Sequence, residues 1–218
     1  MFTTPAYKNI ELKGCTGTLS ENIIQNWLIG LREYDPAIIE MFKERDIIPY
    51  SNPLPWSGEF AGKYITGAYY IYKITRNKAL FDYINAFIDE LIETQAPDGY
   101  MGCFPKEFRL TDKRPNGKKV EDASWDCWNH YHIMFGLLLW YDETGKKSYY
   151  DAVLRCADLF LNTFYNSNKS LLSTGYSEMN FALYHVFAML CFRTGEKKYL
   201  EFAKNIEDDF LTNALETI

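Results

Sequence analysis

Three carboxylates stand at corresponding places along the chain. Glu59 lies sixteen residues before Thr75, Glu178 sixteen before Thr194, and Asp126 eighteen before Thr144. Each threonine opens a short break between two apolar stretches, so similar offsets put the acids at one end of parallel elements. Paired acids on an aromatic-lined face are what glycoside hydrolysis uses, one as proton donor and one as nucleophile or base. Asp126 stands out, with Trp125 and Trp128 beside it and His130 and His132 after it. Indoles exclude water, which favours the protonated carboxyl and suits donation to a glycosidic oxygen.

Each of these residues also has a plainer reading. Acids at helix N-termini are stabilised by about 0.3–1 kcal/mol through the unpaired amides and the helix dipole. Glu178 fits that description, and Lys63, one turn after Glu59, is placed to pair with it. His132 and His185 fall on apolar helix stripes and read as hydrogen-bonded structural groups, while His130 is open to either reading. A metal site is not expected. His130 and His132, two apart, cannot share a helix face, and the spacings His-x-x-x-His and His-Glu-x-x-His are absent. The five cysteines (Cys15, Cys103, Cys127, Cys156 and Cys191) are odd in number, widely spaced and free of Cys-x-x-Cys. Cys156 and Cys191 read as small core residues, and no disulfide framework is expected.

The elements that carry these groups repeat. The breaks are Thr75-Arg76-Asn77, Thr144-Gly145-Lys146 and Thr194-Gly195-Glu196. Residues five, six, nine, twelve and sixteen after each threonine are apolar or aromatic: Leu80, Phe81, Ile84, Phe87 and Leu91; Tyr149, Tyr150, Val153, Cys156 and Phe160; Tyr199, Leu200, Ala203, Ile206 and Phe210. That spacing marks one face of a helix. The stretches before the breaks, 59–74, 128–143 and 178–193, are apolar nearly all round and must be covered on most sides; the inner helices are expected near 59–74, 126–143 and 178–193. Buried inner helices backed by half-wet outer ones predict an all-α fold, an (α/α) toroid of about three and a half hairpins, as an incomplete (α/α)6 barrel; an open solenoid is the alternative. Gly145 and Gly195 suit the left-handed residue that ends a helix. Upstream, Ser20 is placed to cap a helix through Trp27 and Leu31, and Asp35-Pro36 to open another through Phe42. A surplus of roughly twenty residues sits at 97–123, and loops of that length are usually functional or disordered. No linker divides the chain, so residues 1–218 are expected to form one helical domain.

Composition narrows the function classes. Aromatics make up 17% of the chain, enough to fill a core and also to stack on the C–H faces of sugar rings. Net charge is −6. Apart from Lys113, Arg114, Lys118 and Lys119, which read as one solvated turn, the cations are scattered and form no stripe for a phosphate backbone. Nucleic acid is therefore not an expected partner. No apolar run is long enough to span a bilayer. The N-terminus shows no signal peptide, so the expected location is the cytoplasm, or the periplasm if a signal has been removed.

Five segments together carry a family resemblance. Trp56-x-Gly-Glu59-Phe-Ala-Gly-Lys63, Gln95-x-Pro-Asp98-Gly-Tyr100-x-Gly102 and Trp125-Asp126-x-Trp128-Asn129 are followed by the Thr-Gly break at 144 and by Arg-Thr-Gly with Tyr199-Leu200 at 193–200. In this order they resemble glycoside hydrolase family 127, which includes β-L-arabinofuranosidases. The likeness runs from about residue 10 onward and covers the first part of the family's catalytic toroid. It implies a sugar-facing surface of Glu59, Lys63, Asp98, Tyr100, Trp125, Asp126, Asn129 and His130, with Asp126 and Glu59 as the candidate acids. In characterised members a cysteine nucleophile sits on a zinc ion held by a Glu and further cysteines, all later in the chain, and those roles map onto no residue here. Zinc is thus expected only in longer members, and no cofactor in this chain. The best-known arabinofuranosidases carry Cys-His-Glu where this chain has Trp125 to Asn129, a departure that bears on arabinose specificity.

The expectation is a glycoside hydrolase-like domain acting on or binding complex carbohydrate, with an L-arabinofuranoside-like substrate and little activity alone. The alternative is a non-catalytic helical module for a carbohydrate or a partner chain, with self-association through the exposed inner-helix surface. A sugar epimerase on the same toroid would use His130 and His132.

Overall fold

The computed structural model describes residues 10–117, 123–167 and 169–215, and among them only helices, turns and loops occur. The N-terminal part is irregular: α1 (Gly14–Ile23) widens into a π-type stretch at Ile24–Leu28, followed by the short α2 (Leu31–Tyr34) and α3 (Ala37–Lys43). Three hairpins follow. α4 (Glu59–Thr75) turns into α5 (Lys78–Glu93), and α6 (Asp126–Thr144) into α7 (Lys147–Phe160). The one-turn α8 (Ser177–Asn180) leads to α9 (Leu183–Thr194), which turns into α10 (Lys197–Leu215). α4, α6 and α9 form the inner layer and α5, α7 and α10 back them, as successive hairpins of an (α/α) toroid.

The repeat sits where the apolar offsets put it. Of the fifteen predicted outer-helix positions, fourteen are buried or half-buried, and Leu200 is exposed. Gly145 and Gly195 take φ of 68° and 72°, the left-handed values expected of a closing glycine. The first break lacks a glycine. Arg76 adopts φ 54° there, held by Glu143 on its guanidinium at 2.5 Å and by the Tyr72 ring beneath it, while Asn77 caps α5 by accepting the Leu80 N–H at 3.0 Å.

Glycine also sets the spacing of the inner layer. A methyl group on Gly62 of α4 would lie 2.2 Å from the His132 carbonyl carbon, and one on Gly136 would lie 3.1 Å from the Gly62 oxygen. α4 and α6 therefore touch backbone to backbone. Lys73 of α4 is paired to Glu143 of α6 at 2.7 Å, and Arg193 of α9 to Asp142 of α6, stitching the ends away from Glu59 and Asp126.

Two predicted boundaries differ. Ser20 lies inside α1, donating to the Thr16 carbonyl at 2.9 Å, so it caps nothing; the helix begins at Gly14. The third inner helix does not run unbroken from 178. It is interrupted at Phe181–Ala182, where N–H groups reach three residues back, as from Tyr184 to Phe181. At this break the buried Asn180 amide donates to Leu171 O and Thr174 Oγ1, both at 3.2 Å, tying the end of α8 to the loop before it.

The surplus loop is not a loose surface excursion. Tyr100, Met101 and Phe104 are fully buried. Gly99, at φ 95°, runs so close to α7 that a methyl there would lie 2.2 Å from the Arg155 oxygen. Gln95 fixes this segment by donating to Gly99 O and Ala152 O, both at 2.9 Å. Lys118 and Lys119 of the predicted cationic turn lie outside the described residues.

Candidate functional site

The first turn of α6 carries most of the predicted site residues, and the structure sends them in two directions. Asp126 turns inward and has no exposed surface. Its Oδ2 accepts the Tyr100 hydroxyl and the Leu110 N–H, each at 2.9 Å. Its Oδ1 faces Gly102, where a methyl would lie only 2.5 Å away. His130, one turn on, is equally buried. Its Nε2 accepts the Met101 N–H at 3.0 Å, so the ring proton sits on Nδ1, 2.8 Å from the Asp126 carbonyl. Burial, and then the nearby Asp126 carboxylate, push the Tyr100 hydroxyl well above its ordinary range and keep it a donor. Asp126, Tyr100 and His130 thus tie the surplus loop to α6.

This placement corrects the expectation for Asp126. A proton donor must come within hydrogen-bond reach of the glycosidic oxygen, whereas Asp126 is enclosed by the loop it anchors. Asn129 is also fully buried, packed against Gly58, and neither amide atom has a hydrogen-bond partner among the described residues. Trp125 is half-buried, its ring 5.5 Å from Trp56 and 5.3 Å from Tyr176. Asp98 shapes the loop: its Oδ1 accepts the Tyr100 N–H at 3.0 Å, and Arg109 approaches Oδ2 at 3.6 Å. Glu178 is on α8 and exposed.

The other direction leads to a rim between the starts of α4 and α6. Glu59 is 6% exposed; Lys63 binds its Oε1 at 2.7 Å and the Trp128 indole N–H donates to its Oε2. The Lys63 ammonium also lies 5.7 Å from the centre of the Trp128 ring. His132 stands edge-on to Trp128 at 4.4 Å, its backbone against Gly62. Burial, and then the Lys63 charge, lower the His132 pKa to about 4, so the ring is neutral at pH 7; its Nε2 has no hydrogen-bond partner among the described residues. Chemically this is a carboxylate held in one orientation, an ammonium, a neutral imidazole and an indole.

Trp128 and His132 were not among the predicted site residues. The signal was present as two pairs one turn apart, Glu59 with Lys63 and Trp128 with His132, at the starts of adjacent inner helices. His132 and His185 also depart from the hydrogen-bonded core reading. Among the described residues Nε2 of His132 is unpartnered, and His185 is exposed, with Tyr131 OH 3.3 Å from its Nδ1.

The sequence model described as "Beta-L-arabinofuranosidase, GH127 catalytic domain" matches residues 19–217. The chain belongs to the GH127 family. Two solved structures share its fold. A GH127 beta-L-arabinofuranosidase from Geobacillus stearothermophilus T6 superposes with a TM-score of 0.63 at 17% identity, over 92% of this chain and 32% of its own. A second GH127 beta-arabinofuranosidase gives 0.62 at 21% identity, over 91% of this chain and 32% of its own. The chain therefore spans about a third of the length of these GH127 structures. No curated protein matches it.

Proposed function

We propose that this chain serves a glycoside hydrolase-type function, holding a complex carbohydrate at the rim formed by Glu59, Lys63, Trp128 and His132, with an L-arabinofuranoside-like sugar as the first candidate. The observation that carries the proposal is the GH127 match over residues 19–217. Lys63 offers hydrogen-bond donors to sugar hydroxyls, with its side chain 44% exposed. Neutral His132 can donate or accept at a hydroxyl without a charge to desolvate. Trp128 supplies an apolar ring beside them, and its indole N–H with Lys63 fixes the Glu59 carboxylate at the mouth of the two helices.

The alternative, a non-catalytic carbohydrate- or partner-binding module, draws on specific geometry. Glycoside hydrolysis by paired carboxyl groups needs two acids that reach one glycosidic bond, and enclosed Asp126 leaves Glu59 without that partner. The zinc-held cysteine nucleophile implied by the family resemblance does not fit the residues present either. Zinc takes thiolates, yet burial pushes the Cys127 and Cys156 thiols up to about 12 and raises Cys103 as well. Cys127 is engaged with Thr174 at 3.2 Å and Cys156 with Gly99 O at 3.2 Å. Among the described residues no three such ligands converge. No step through a metal is drawn for this chain.

Calorimetric titration with an L-arabinofuranosyl disaccharide tests the site. The chain should bind it, and Lys63→Ala or Glu59→Gln should weaken binding about tenfold, as loss of one charge-assisted hydrogen bond does. Absence of binding by the unmodified chain, or unchanged affinity in both variants, would overturn the reading.

A further inference from the structure

The first part of the surplus loop closes in a tight turn, Arg114-Pro115-Asn116-Gly117, in which the Gly117 N–H donates to the Arg114 carbonyl at 3.1 Å. Asn116 takes φ 58°, which after a proline is the third position of a type II turn. Few residues other than glycine accept that conformation, and asparagine is one of them. The turn is pinned from its first half: Pro115 is buried, and the Arg114 guanidinium donates to Asn52 Oδ1 at 2.7 Å. Asn116 and Gly117 are exposed.

This pair of residues carries a reaction of its own. The side-chain amide carbon of an asparagine lies within five-membered-ring reach of the next backbone nitrogen. A side chain on that next residue hinders closure of the ring, and glycine has none. Asn116-Gly117 is the one Asn-Gly pair in the sequence. The other exposed asparagines among the described residues are protected. Asn22, Asn26 and Asn205 lie in helical segments, where the following N–H is held in the helix, and they precede Ile23, Trp27 and Ile206. Asn52 precedes Pro53, whose nitrogen has no proton to give up. Asn162 and Asn166 precede Thr163 and Ser167.

We propose that Asn116 is a site of spontaneous deamidation in the folded protein. The Gly117 nitrogen gives up its proton and attacks Cγ of Asn116. The new N–Cγ bond closes a succinimide, the Cγ–Nδ2 bond breaks, and the amide leaves as ammonia carrying the proton. Water then opens the imide at either carbonyl. One opening gives aspartate; the other gives isoaspartate, with the backbone rerouted through Cβ and Cγ. Water is the only co-reactant and nothing is oxidised or reduced. The attacking nitrogen is the one that closes the turn, so the turn bond must open first. The product adds a carboxylate between Lys113-Arg114 and Lys118-Lys119 and lowers the net charge of −6 by one, in the loop that encloses Asp126.

Incubation of the full folded chain at mildly alkaline pH, followed by peptide mapping with mass spectrometry, tests the site. Asn116 should convert at least about tenfold faster than any other asparagine, and Gly117→Val should slow it at least about tenfold. Aspartate and isoaspartate should both appear, resolved by their retention. Asn116→Gly suits the same φ, so it should abolish the mass change and melt as the unmodified chain does. Chain held unfolded in guanidinium chloride gives the rate without a turn bond. An Asn116 that stays intact in the folded chain while the unfolded chain converts would show that the turn blocks the attack, and would overturn the proposal. So would another asparagine converting first, or aspartate appearing without isoaspartate.

Discussion

Asp126 and Glu59 occupy similar sequence contexts, each an acid opening an inner helix beside tryptophan, yet they end in opposite surroundings. The difference lies in what covers them. The surplus loop folds over Asp126 and supplies two donors to it, while Glu59 meets only side chains of its own and the adjacent helix. Asp126→Ala would leave the Tyr100 hydroxyl and the Leu110 N–H buried without an acceptor. At about 1–3 kcal/mol for each orphaned group, the variant should lose roughly 2–6 kcal/mol in urea denaturation; a loss below about 1 kcal/mol would refute the anchoring role. His132 adds a pH dependence. Its folded pKa of about 4 lies below the ordinary 6.5, so between those values the unfolded chain binds the extra proton. Stability from this residue is therefore complete above about pH 6.5 and declines as the pH falls towards 4. His132→Gln should flatten that part of the stability profile, and an unchanged slope would contradict the assignment. None of this was readable from Asp126 and its neighbours alone, because sequence places tryptophans beside the acid without saying that Tyr100 and Leu110 reach it first.

At the scale of elements, the hairpins were legible because each outer helix repeats one apolar face and each break ends on a left-handed residue. The break between α8 and α9 was not, since Asn180 donates to Leu171 and Thr174 in the preceding loop, contacts that an apolar pattern does not reveal. The surplus at 97–123 was legible as an insertion, but the burial of its first part was not, for that depends on Gly99 fitting against α7. α4 offers a paired test of the inner packing. Gly62→Ala would press a methyl into the His132 backbone and should destabilise the chain by about 2–3 kcal/mol or more. Gly67→Ala, on the same helix but facing open space, should stabilise by about 0.5–1 kcal/mol through the lower entropy of the unfolded chain. Thermal melts of the two variants moving in the same direction would contradict the close approach of α4 and α6.

For the whole molecule, the aromatic-rich composition served both readings offered for it. Trp140, Tyr149 and Phe160 fill the core, whereas Trp27 and Phe60 remain at the surface beside the rim. The fold follows from repeated faces, and GH127 membership follows from the motifs matched over nearly the whole chain. The claim that remains to be measured is which of the polar groups at the start of α6 meet a sugar. The chain has three histidines, His130, His132 and His185, so their imidazole resonances can be resolved and assigned by mutation. An NMR titration with an L-arabinofuranosyl disaccharide separates the two directions in one experiment. His132, beside Trp128 and with Nε2 unpartnered among the described residues, should shift progressively on binding, while His130, locked between Met101 and Asp126, should stay in place. A shift confined to His130, with His132 unmoved, would put the sugar at the interior cluster and contradict the account.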